Sequence, residues 1–266
     1  MRARYPERIV CLTEETTETL YLLGEERRIV GISGYTVRPP QARRDKPRVS
    51  AFLSAKTDRI LALKPDLVLG FSDLQADIAR ELVKAGLNVV VFNQRSVDEI
   101  LSMILTLSAM VGAADKGRKL IDELETGLET IRLAADKFPR RPRVYFEEWD
   151  EPMISAIRWV SELIGIAGGE DVFDELSRSQ AASGRTIKDG SMVIAQRPDV
   201  ILGSWCGKKF RPERVAARPG WDAIPAVREG ALYEIKSADI LQPGPAALTD
   251  GVRRIHEIFT AWAASR

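Results

Sequence analysis

The sequence predicts an α/β fold with two Rossmann-like lobes, each built on a parallel sheet, joined by a long rigid α-helix. Short apolar runs alternate with amphipathic segments, a pattern typical of parallel strands connected by helices. Residues 57–70 and 190–203 also align without gaps, with identity at Ala, Pro, Asp, Leu and Gly. The similarity could reflect a generic connection from a helix to a strand. Duplication of a lobe explains it better, because a loop with an aromatic residue follows both segments. The 266 residues leave room for two medium domains.

Apolar runs and helix-end signals predict the elements of the first lobe. Gly24 and Gly86 suit the C′ position after a helix. Ser72 and Gln75 form an S-x-x-Q capping box, so a helix is expected directly after the third strand. The predicted strands are 8–12, 28–32, 66–70 and 88–92, and the predicted helices are 14–23, 57–63 and 73–85.

Two helices are expected between the lobes. Ser96 and Glu99 form a second capping box before an apolar stripe that ends at Gly112. Asp115 caps a further helix, on the order of 35 Å long at 1.5 Å per residue, which the prolines of 139–142 end. The predicted division is an N-terminal lobe at 1–114, an interlobe helix at 115–138 and a C-terminal lobe at 139–266.

The strand and helix pattern restarts beyond the prolines. Residues 143–146, 199–203 and 231–235 are predicted as strands, and 159–166 and 249–264 as helices. Ligands bind outside the carboxyl ends of the strands in open parallel sheets. The two sets of strand ends are therefore expected to face each other across an interlobe pocket.

Composition excludes several classes of function. Lys plus Arg number 39 against 38 Asp plus Glu, so no net field favours nucleic acid or an acidic membrane surface. Two distant cysteines, Cys11 and Cys206, and the single His256 do not supply a histidine-rich metal centre. No apolar run approaches the length of a membrane span. The first eight residues lack a secretory h-region, so we expect either a cytoplasmic protein or one whose signal was removed.

No catalytic nucleophile is predicted, since G-x-S-x-G, Walker A and G-x-G-x-x-G motifs are absent. Glu14 and Glu15 follow the first strand, and Glu147, Glu148 and Asp150 follow the first strand of the second half, so a catalytic carboxylate pair is possible in principle. Glu14 and Glu15 suit the N-terminal turn of a helix better than catalysis. The alternative for Glu14, Glu15 and Glu148 is recognition of a cationic ligand. Aromatic and amide side chains also follow the strands, and such a set suits the enclosure of a bulky, partly apolar small molecule. These residues are Tyr35, Phe52, Phe71, Asn93, Gln94, Trp149, Trp205 and Gln242.

Segments along nearly the whole chain resemble the substrate-binding proteins of ABC importers for cobalamin and iron complexes. The segments are 8–18, 64–70, 148–152, 218–227 and 243–245. The run from Arg218 to Val227 is the most specific, and the Glu-Trp-x-x-Pro element at 148–152 is similar to the cobalamin-type branch. One departure is Thr13-Glu14-Glu15, where the family usually has a Ser-Pro or Pro-Ser step.

The resemblance implies a class III binding protein that captures a corrinoid or a similar bulky metal chelate for an ABC permease, with little hinge closure. It implies a non-enzymatic, extracytoplasmic monomer without cofactor or metal. The alternatives are an iron-siderophore or haem binder, in which Arg38, Arg158 and Arg185 meet an anionic chelate, and a cytoplasmic metabolite-binding protein or enzyme. The expected ligand-binding residues are Glu14, Glu15, Tyr35, Phe52, Phe71, Trp149, Arg185, Trp205 and Gln242; the expected permease-docking residues are Asp77, Glu81 and Glu213.

Overall fold

A computed structural model describes residues 4–51 and 54–265 of the chain. The described residues form two compact units. The first holds the chain up to Gln94 together with Asp98–Leu124, and the second holds Arg95–Val97 and the chain from Glu125 onward. The division falls inside a 22-residue helix, Ala114–Ala135.

The first unit is a parallel α/β unit with a doubly wound strand order. Its five strands lie in the order β3-β2-β1-β4-β5, and every neighbouring pair is parallel. The direction of winding changes beside β1, the place where ligands bind in such sheets. The elements are β1 (Ile9–Cys11), α1 (Glu14–Leu22), β2 (Ile29–Ser33), α2 (Pro40–Asp45), β3 (Arg48–Ser50), α3 (Thr57–Ala62), β4 (Leu67–Phe71), α4 (Ala76–Lys84), β5 (Val89–Phe92), α5 (Val97–Met110) and α6 (Ala114–Ala135).

The core of the first unit lies against the central strands. The residues of β1 are fully buried, and Val10 packs with Val68 and Leu82 in one apolar cluster. Burial raises the pKa of the Cys11 thiol to about 12, although hydrogen bonding with the Thr16 and Thr17 side chains opposes this increase. Cys11 is therefore a small core residue, as its apolar strand indicates.

The second unit has a mixed sheet. Strands β10, β9 and β6 are parallel neighbours, while β7 pairs antiparallel with the end of β6. A two-residue strand, β8, pairs with the start of β6. The elements are β6 (Arg143–Asp150), β7 (Met153–Ser155), α7 (Arg158–Ile166), β8 (Glu170–Asp171), α8 (Asp174–Ser177), α9 (Gly190–Gln196), β9 (Val200–Gly203), α10 (Pro212–Ala216), α11 (Pro225–Arg228), β10 (Leu232–Glu234), α12 (Ser237–Ile240) and α13 (Val252–Ala264).

The two aligned segments adopt the same local structure. In each, a helix ends at a left-handed residue, Lys64 with φ 48° or Arg197 with φ 49°, and a Pro-Asp pair leads into a buried strand. A left-handed lysine or arginine is uncommon. Its presence at equivalent places in both segments matches the alignment of their sequences.

The aspartate of each segment fixes the start of a neighbouring strand. Asp66 accepts hydrogen bonds from the backbone amides of Glu7 and Arg8, at 2.8 and 2.9 Å. Asp199 accepts one from the amide of Arg143 at 2.9 Å, and its amide donates to the Arg143 carbonyl at 2.8 Å. The same turn thus positions β1 in one unit and β6 in the other.

Some predicted elements differ from the structure at their ends. The helix expected from residue 73 begins as a 3-10 turn, Asp73–Gln75, and Gln75 Oε1 accepts from the Phe71 amide at 3.0 Å. The Ser72 amide instead donates to the Phe92 carbonyl at 2.7 Å, so the capping box is shifted by one residue. A π-helical turn, Ala247–Gly251, precedes the terminal helix. Within the described residues, we find no helix with the length and apolar character to span a membrane.

Candidate functional site

The carboxyl edge of the second unit's sheet is built on a buried carboxylate, Glu147, near the end of β6. Its two oxygens accept hydrogen bonds from the Arg218 guanidinium at 2.5 and 3.0 Å. The Tyr145 hydroxyl and the Trp205 indole N–H each donate a further bond at 3.0 Å. Four donors thus surround Glu147, so its charge is compensated where no water reaches it.

This network fixes the side chains at the strand ends. Burial, and next the charge of Glu147, raise the pKa of Tyr145 well above its ordinary value, so its hydroxyl remains a donor. The Arg218 guanidinium lies 4.6 Å from the Trp221 ring centroid. Trp205 packs edge-on against Phe210, with ring centroids 5.1 Å apart. The network therefore holds two indoles and a guanidinium in place.

A cavity of about 640 Å³ opens beside this network. Its volume lies in the range of about 300 to 1,000 Å³ that is typical of small-molecule sites. Its lining includes two buried indoles, two exposed prolines and several ionic groups, so it offers both apolar and polar contacts. The lining residues are Asp150, Glu151, Pro152, Met153, Ile187, Lys188, Asp189, Gly190, Ser191, Ile194, Trp205, Arg214, Arg218, Pro219 and Trp221.

Lys208 connects Trp149 with the same edge. Its ammonium lies 4.0 Å from the Trp149 ring centroid and 5.2 Å from that of Trp205, and it is ion-paired with Asp150. The Trp149 indole N–H donates to the Glu151 carbonyl at 2.8 Å. Cation–π and ionic contacts thus bring the predicted residues Trp149 and Trp205 together around one lysine.

Arg185 contacts the end of β7, the strand that pairs with β6. It is buried, and its guanidinium donates to Glu148 at 2.6 and 3.3 Å and to the Ser155 carbonyl at 2.6 Å. Its Nε atom has no hydrogen-bond partner among the residues the structure describes. Glu148 already balances the charge of Arg185.

Two further loop residues lie near the strand ends. Gln242 is half-buried, and its carbonyl accepts a hydrogen bond from the Gly244 amide at 2.8 Å. Cys206 is exposed; partial desolvation and the charge of Glu148 raise the pKa of its thiol. The thiol therefore stays protonated at neutral pH.

In the first unit, Glu14 and Glu15 are buried in the first turn of α1, after β1. Glu14 accepts a hydrogen bond from the Val37 amide, and Glu15 accepts one from the Thr13 hydroxyl at 2.5 Å. Burial, opposed by these bonds and reinforced by Glu18, raises the pKa of each glutamate to about 7. These two carboxyl groups therefore titrate near neutral pH.

The remaining residues predicted in this unit have different surroundings. Tyr35 is 63% exposed, whereas Phe71 is buried at the end of β4 beside Phe92. Arg38 donates to Glu18 at 3.0 Å. Phe52 lies outside the described residues.

The predicted docking carboxylates are exposed. Asp77 forms a helical ion pair with Arg80 at 3.0 Å, and Glu213 lies 3.7 Å from Arg211. Asp77 and Glu81 are on α4 of the first unit, and Glu213 is on α10 of the second.

The described part of the chain contains no group of three or more His, Cys, Asp or Glu side chains arranged to hold a metal ion. His256 is a packing residue: its ring stacks on Phe138 with centroids 5.5 Å apart, and its Nδ1 lies 3.0 Å from the Ala167 carbonyl oxygen.

A sequence profile described as "Periplasmic binding protein" matches residues 9–238. The chain belongs to the periplasmic binding protein family. Its members are solute-binding proteins of transport systems. The resemblance seen in the sequence is thereby confirmed.

Relatives of this periplasmic binding protein match over nearly the whole chain. A vitamin B12-binding protein of Vibrio vulnificus (strain YJ016) is 25% identical over 264 residues, which cover 96% of this chain and 90% of the relative. An uncharacterized ABC transporter substrate-binding lipoprotein, YvrC of Bacillus subtilis (strain 168), is 23% identical over 95% of this chain and 79% of its own length.

The fold of the periplasmic binding protein also matches solved structures. The structure of IsdE of S. aureus, complexed with heme, aligns with a TM-score of 0.82 at 20% identity, covering 97% of this chain and 99% of that one. This likeness shows the fold, and it confirms the predicted class III α/β architecture.

Sequence reasoning missed the pairing of Glu147 with Arg218. Arg218 stands in a segment that carries the resemblance and Glu147 directly precedes another, but 71 positions separate the two residues and no periodicity links them. One sequence feature could have indicated this pair: Glu147 directly follows the apolar residues of a predicted strand. A carboxylate buried in a strand needs a cation or several hydrogen-bond donors as partners.

Proposed function

We propose that this protein is the solute-binding component of an ABC importer and that its ligand is a corrinoid or a metal chelate of similar bulk. The observation that carries the proposal is the cavity of about 640 Å³ beside Trp205 and Trp221 at the carboxyl edge of a parallel sheet. A lining that combines apolar and ionic groups suits a large, partly apolar ligand. The vitamin B12-binding relative, aligned over 96% of this chain, supports the same ligand class.

In this proposal the protein binds without chemical turnover. Trp205 and Arg218 are both held by Glu147, so the wall of the cavity is formed before the ligand arrives. A preformed wall reduces the ordering cost of binding. We propose that Trp149 and Gln242 contact the ligand from the same unit, and that Glu14, Glu15, Tyr35 and Phe71 do so from the first unit.

The three arginines expected to bind an anionic siderophore are all engaged in ion pairs with carboxylates. Arg185 pairs with Glu148, Arg158 with Glu162 and Arg38 with Glu18, at 2.6, 2.9 and 3.0 Å. Each of the three charges is already balanced by a carboxylate. An anionic iron chelate would therefore have to displace an existing ion pair at each of them.

We also propose an extracytoplasmic monomer that docks on a permease through Asp77, Glu81 and Glu213. Their exposed carboxylates suit docking on basic side chains of a permease. The relative described as a substrate-binding lipoprotein of an ABC transporter supports this setting.

Calorimetric titration of the full chain with cyanocobalamin tests the proposed function, with haemin and a ferric siderophore as parallel probes. Saturable one-to-one binding of cyanocobalamin is expected. Ser191→Trp places an indole inside the cavity and should weaken this binding at least tenfold, whereas Thr130→Trp on the exposed face of α6 should not change it. Binding of haemin or the siderophore alone would contradict the corrinoid assignment, and binding of none of the three would contradict the proposed function.

A further inference from the structure

A second cavity, of about 340 Å³, lies beside Trp205 in the second unit and is rich in lysine. It follows two neighbouring parallel strands, β9 and β10, at their carboxyl ends. Ligands bind at this end of such strands. The lining residues are Trp205, Gly207, Lys208, Lys209, Glu234, Ile235, Lys236 and Ser237.

The lining of this lysine cavity contains more basic than acidic residues. Its lining includes three lysines, Lys208, Lys209 and Lys236, and one acidic residue, Glu234. Lys236 pairs with Glu234 at 2.6 Å, and Lys208 pairs with Asp150. Lys209 has no carboxylate within ion-pairing distance in the part of the chain that the structure describes. The lining therefore carries an excess of positive charge, and Lys209 is the lysine of this lining that forms no ion pair among the described residues.

Glu234 orders this cavity. Burial favours its neutral form, but hydrogen bonds from Lys236 and the Phe210 amide, with the charges of Lys236 and Lys209, lower its pKa below the ordinary value. Glu234 thus stays ionised and holds Lys236 in the wall, so an incoming anion meets ammonium groups whose positions are partly fixed.

The lysine cavity also adjoins the larger one, because Trp205 lines both. The indole is buried and its N–H donates to Glu147, so this common wall is fixed. A ligand whose body fills the larger cavity can direct a substituent around this indole.

We propose that the lysine cavity is an anion subsite that receives a phosphate or carboxylate group carried by the ligand. This inference rests on the proposed function and narrows the ligand to a chelate with an acidic substituent. Ammonium groups bind such oxygens through charge-assisted hydrogen bonds, and the Ser237 hydroxyl supplies another donor in the lining.

The first experiment tests the subsite without the ligand. Inorganic phosphate and citrate are titrated separately into the isotope-labelled full chain while amide NMR signals are recorded. Saturable shifts of the amides around Lys209 and Ser237 are expected, and Lys209→Glu should abolish them. Lys119→Glu, on exposed α6, serves as the matched control. Absence of such shifts with both anions, or their persistence in Lys209→Glu, would overturn the anion subsite whatever the ligand is.

The second experiment identifies the group that the ligand presents. Cyanocobalamin carries a phosphodiester that cobinamide lacks, and haemin carries carboxylates. Lys209→Gln should weaken the binding of cyanocobalamin about tenfold and leave cobinamide unchanged if phosphate is recognised. The same loss for haemin alone would assign a carboxylate.

Failure of the two proposals can be told apart. Corrinoid binding that is equal for both forms and insensitive to Lys209→Gln would overturn the subsite's role in ligand binding while the proposed function stands. Absence of binding by every chelate would contradict the proposed function, and the anion titration would still decide the subsite.

Discussion

At the scale of single residues, the ion pair of Glu147 and Arg218 contributes both to the stability of the fold and to the wall of the larger cavity. The Glu147 carboxylate is inaccessible to water and depends on one cation and two neutral donors, Tyr145 and Trp205. Removal of one member of a buried ion pair is costly because the remaining charge is left uncompensated. The same contact orients the guanidinium in the wall of the larger cavity.

Arg218→Ala should lower the free energy of unfolding by about 3 kcal/mol, since Glu147 then has no cationic partner. Urea unfolding monitored by tryptophan fluorescence measures the change. Arg253→Ala is the matched control: Arg253 pairs with Asp250 on an exposed helix face, and its loss should cost less than about 1 kcal/mol. Equal stability of the two variants would contradict the buried ion pair.

Glu14 and Glu15 make stability depend on pH. Their pKa of about 7 in the folded chain exceeds the ordinary value of 4.5, so the folded state binds more protons than the unfolded state between these values. Their contribution is therefore fully present below about pH 4.5 and is lost as the pH rises through about 7.

Glu15→Gln should flatten this dependence, raising stability near pH 8 relative to the unsubstituted chain by up to about 3 kcal/mol. Chemical unfolding between about pH 5 and pH 8 measures the slope. Glu175→Gln removes an exposed carboxyl group and should leave the slope unchanged. Burial also raises the pKa of Asp171, to about 6, so Asp171 contributes to the slope in every protein. The decisive quantity is therefore the difference in slope between Glu15→Gln and the unsubstituted chain. A slope that is identical in all three proteins would refute the assignment.

At the scale of elements, Gly203 allows β9 to end against an aromatic ring. A Cβ atom at this position would lie 1.9 Å from Phe210, which packs on Trp205. The strand end, the ring and the indole are therefore one packed unit. A side chain at Gly203 would displace the wall of both cavities.

Gly203→Ala should lower the free energy of unfolding by about 2 kcal/mol or more, because Phe210 must move. Thermal unfolding, with cyanocobalamin titration of the folded fraction, measures stability and site together. Gly127→Ala is the control: its Cβ would meet open space on α6, so this variant should gain up to about 1 kcal/mol. A stable Gly203→Ala protein would contradict the close packing of Phe210.

Strands buried on both faces could be predicted from the sequence, whereas the short edge strands β3 and β7 could not. Ile9–Cys11 and Val200–Gly203 are wholly buried, so uninterrupted apolar runs mark them. Arg48–Ser50 and Met153–Ser155 have three residues each and exposed or half-buried positions. These two segments are strands because they pair with β2 and β6, and the local sequence pattern does not indicate such pairing.

The candidate site was predictable to a similar extent. Trp205 was predicted because it follows a strand that the internal repeat marks. The Glu147–Arg218 pair required a contact between residues 71 positions apart. The sequence did not predict the lysine cavity, because the formal net charge of the whole chain is only +1. This overall balance gives no indication that Lys208, Lys209 and Lys236 line one cavity in the folded chain.

At the scale of the whole molecule, the two units repeat one construction and differ in the chemistry of their strand ends. The first unit places two buried carboxylates directly after β1, whereas in the second unit Trp205 and two lysines follow β9 and Lys236 follows β10. A shared fold therefore does not give the units the same role. In the proposed function, the second unit supplies the cavity and the anion subsite.

Hydrogen–deuterium exchange of the full chain, with and without saturating cyanocobalamin, tests most directly whether the ligand binds at the carboxyl edge of the second sheet. We predict slower exchange in residues 147–153, 203–210 and 232–243 when the corrinoid is bound. Saturating binding that leaves exchange in these three segments unchanged would contradict the assignment of the site.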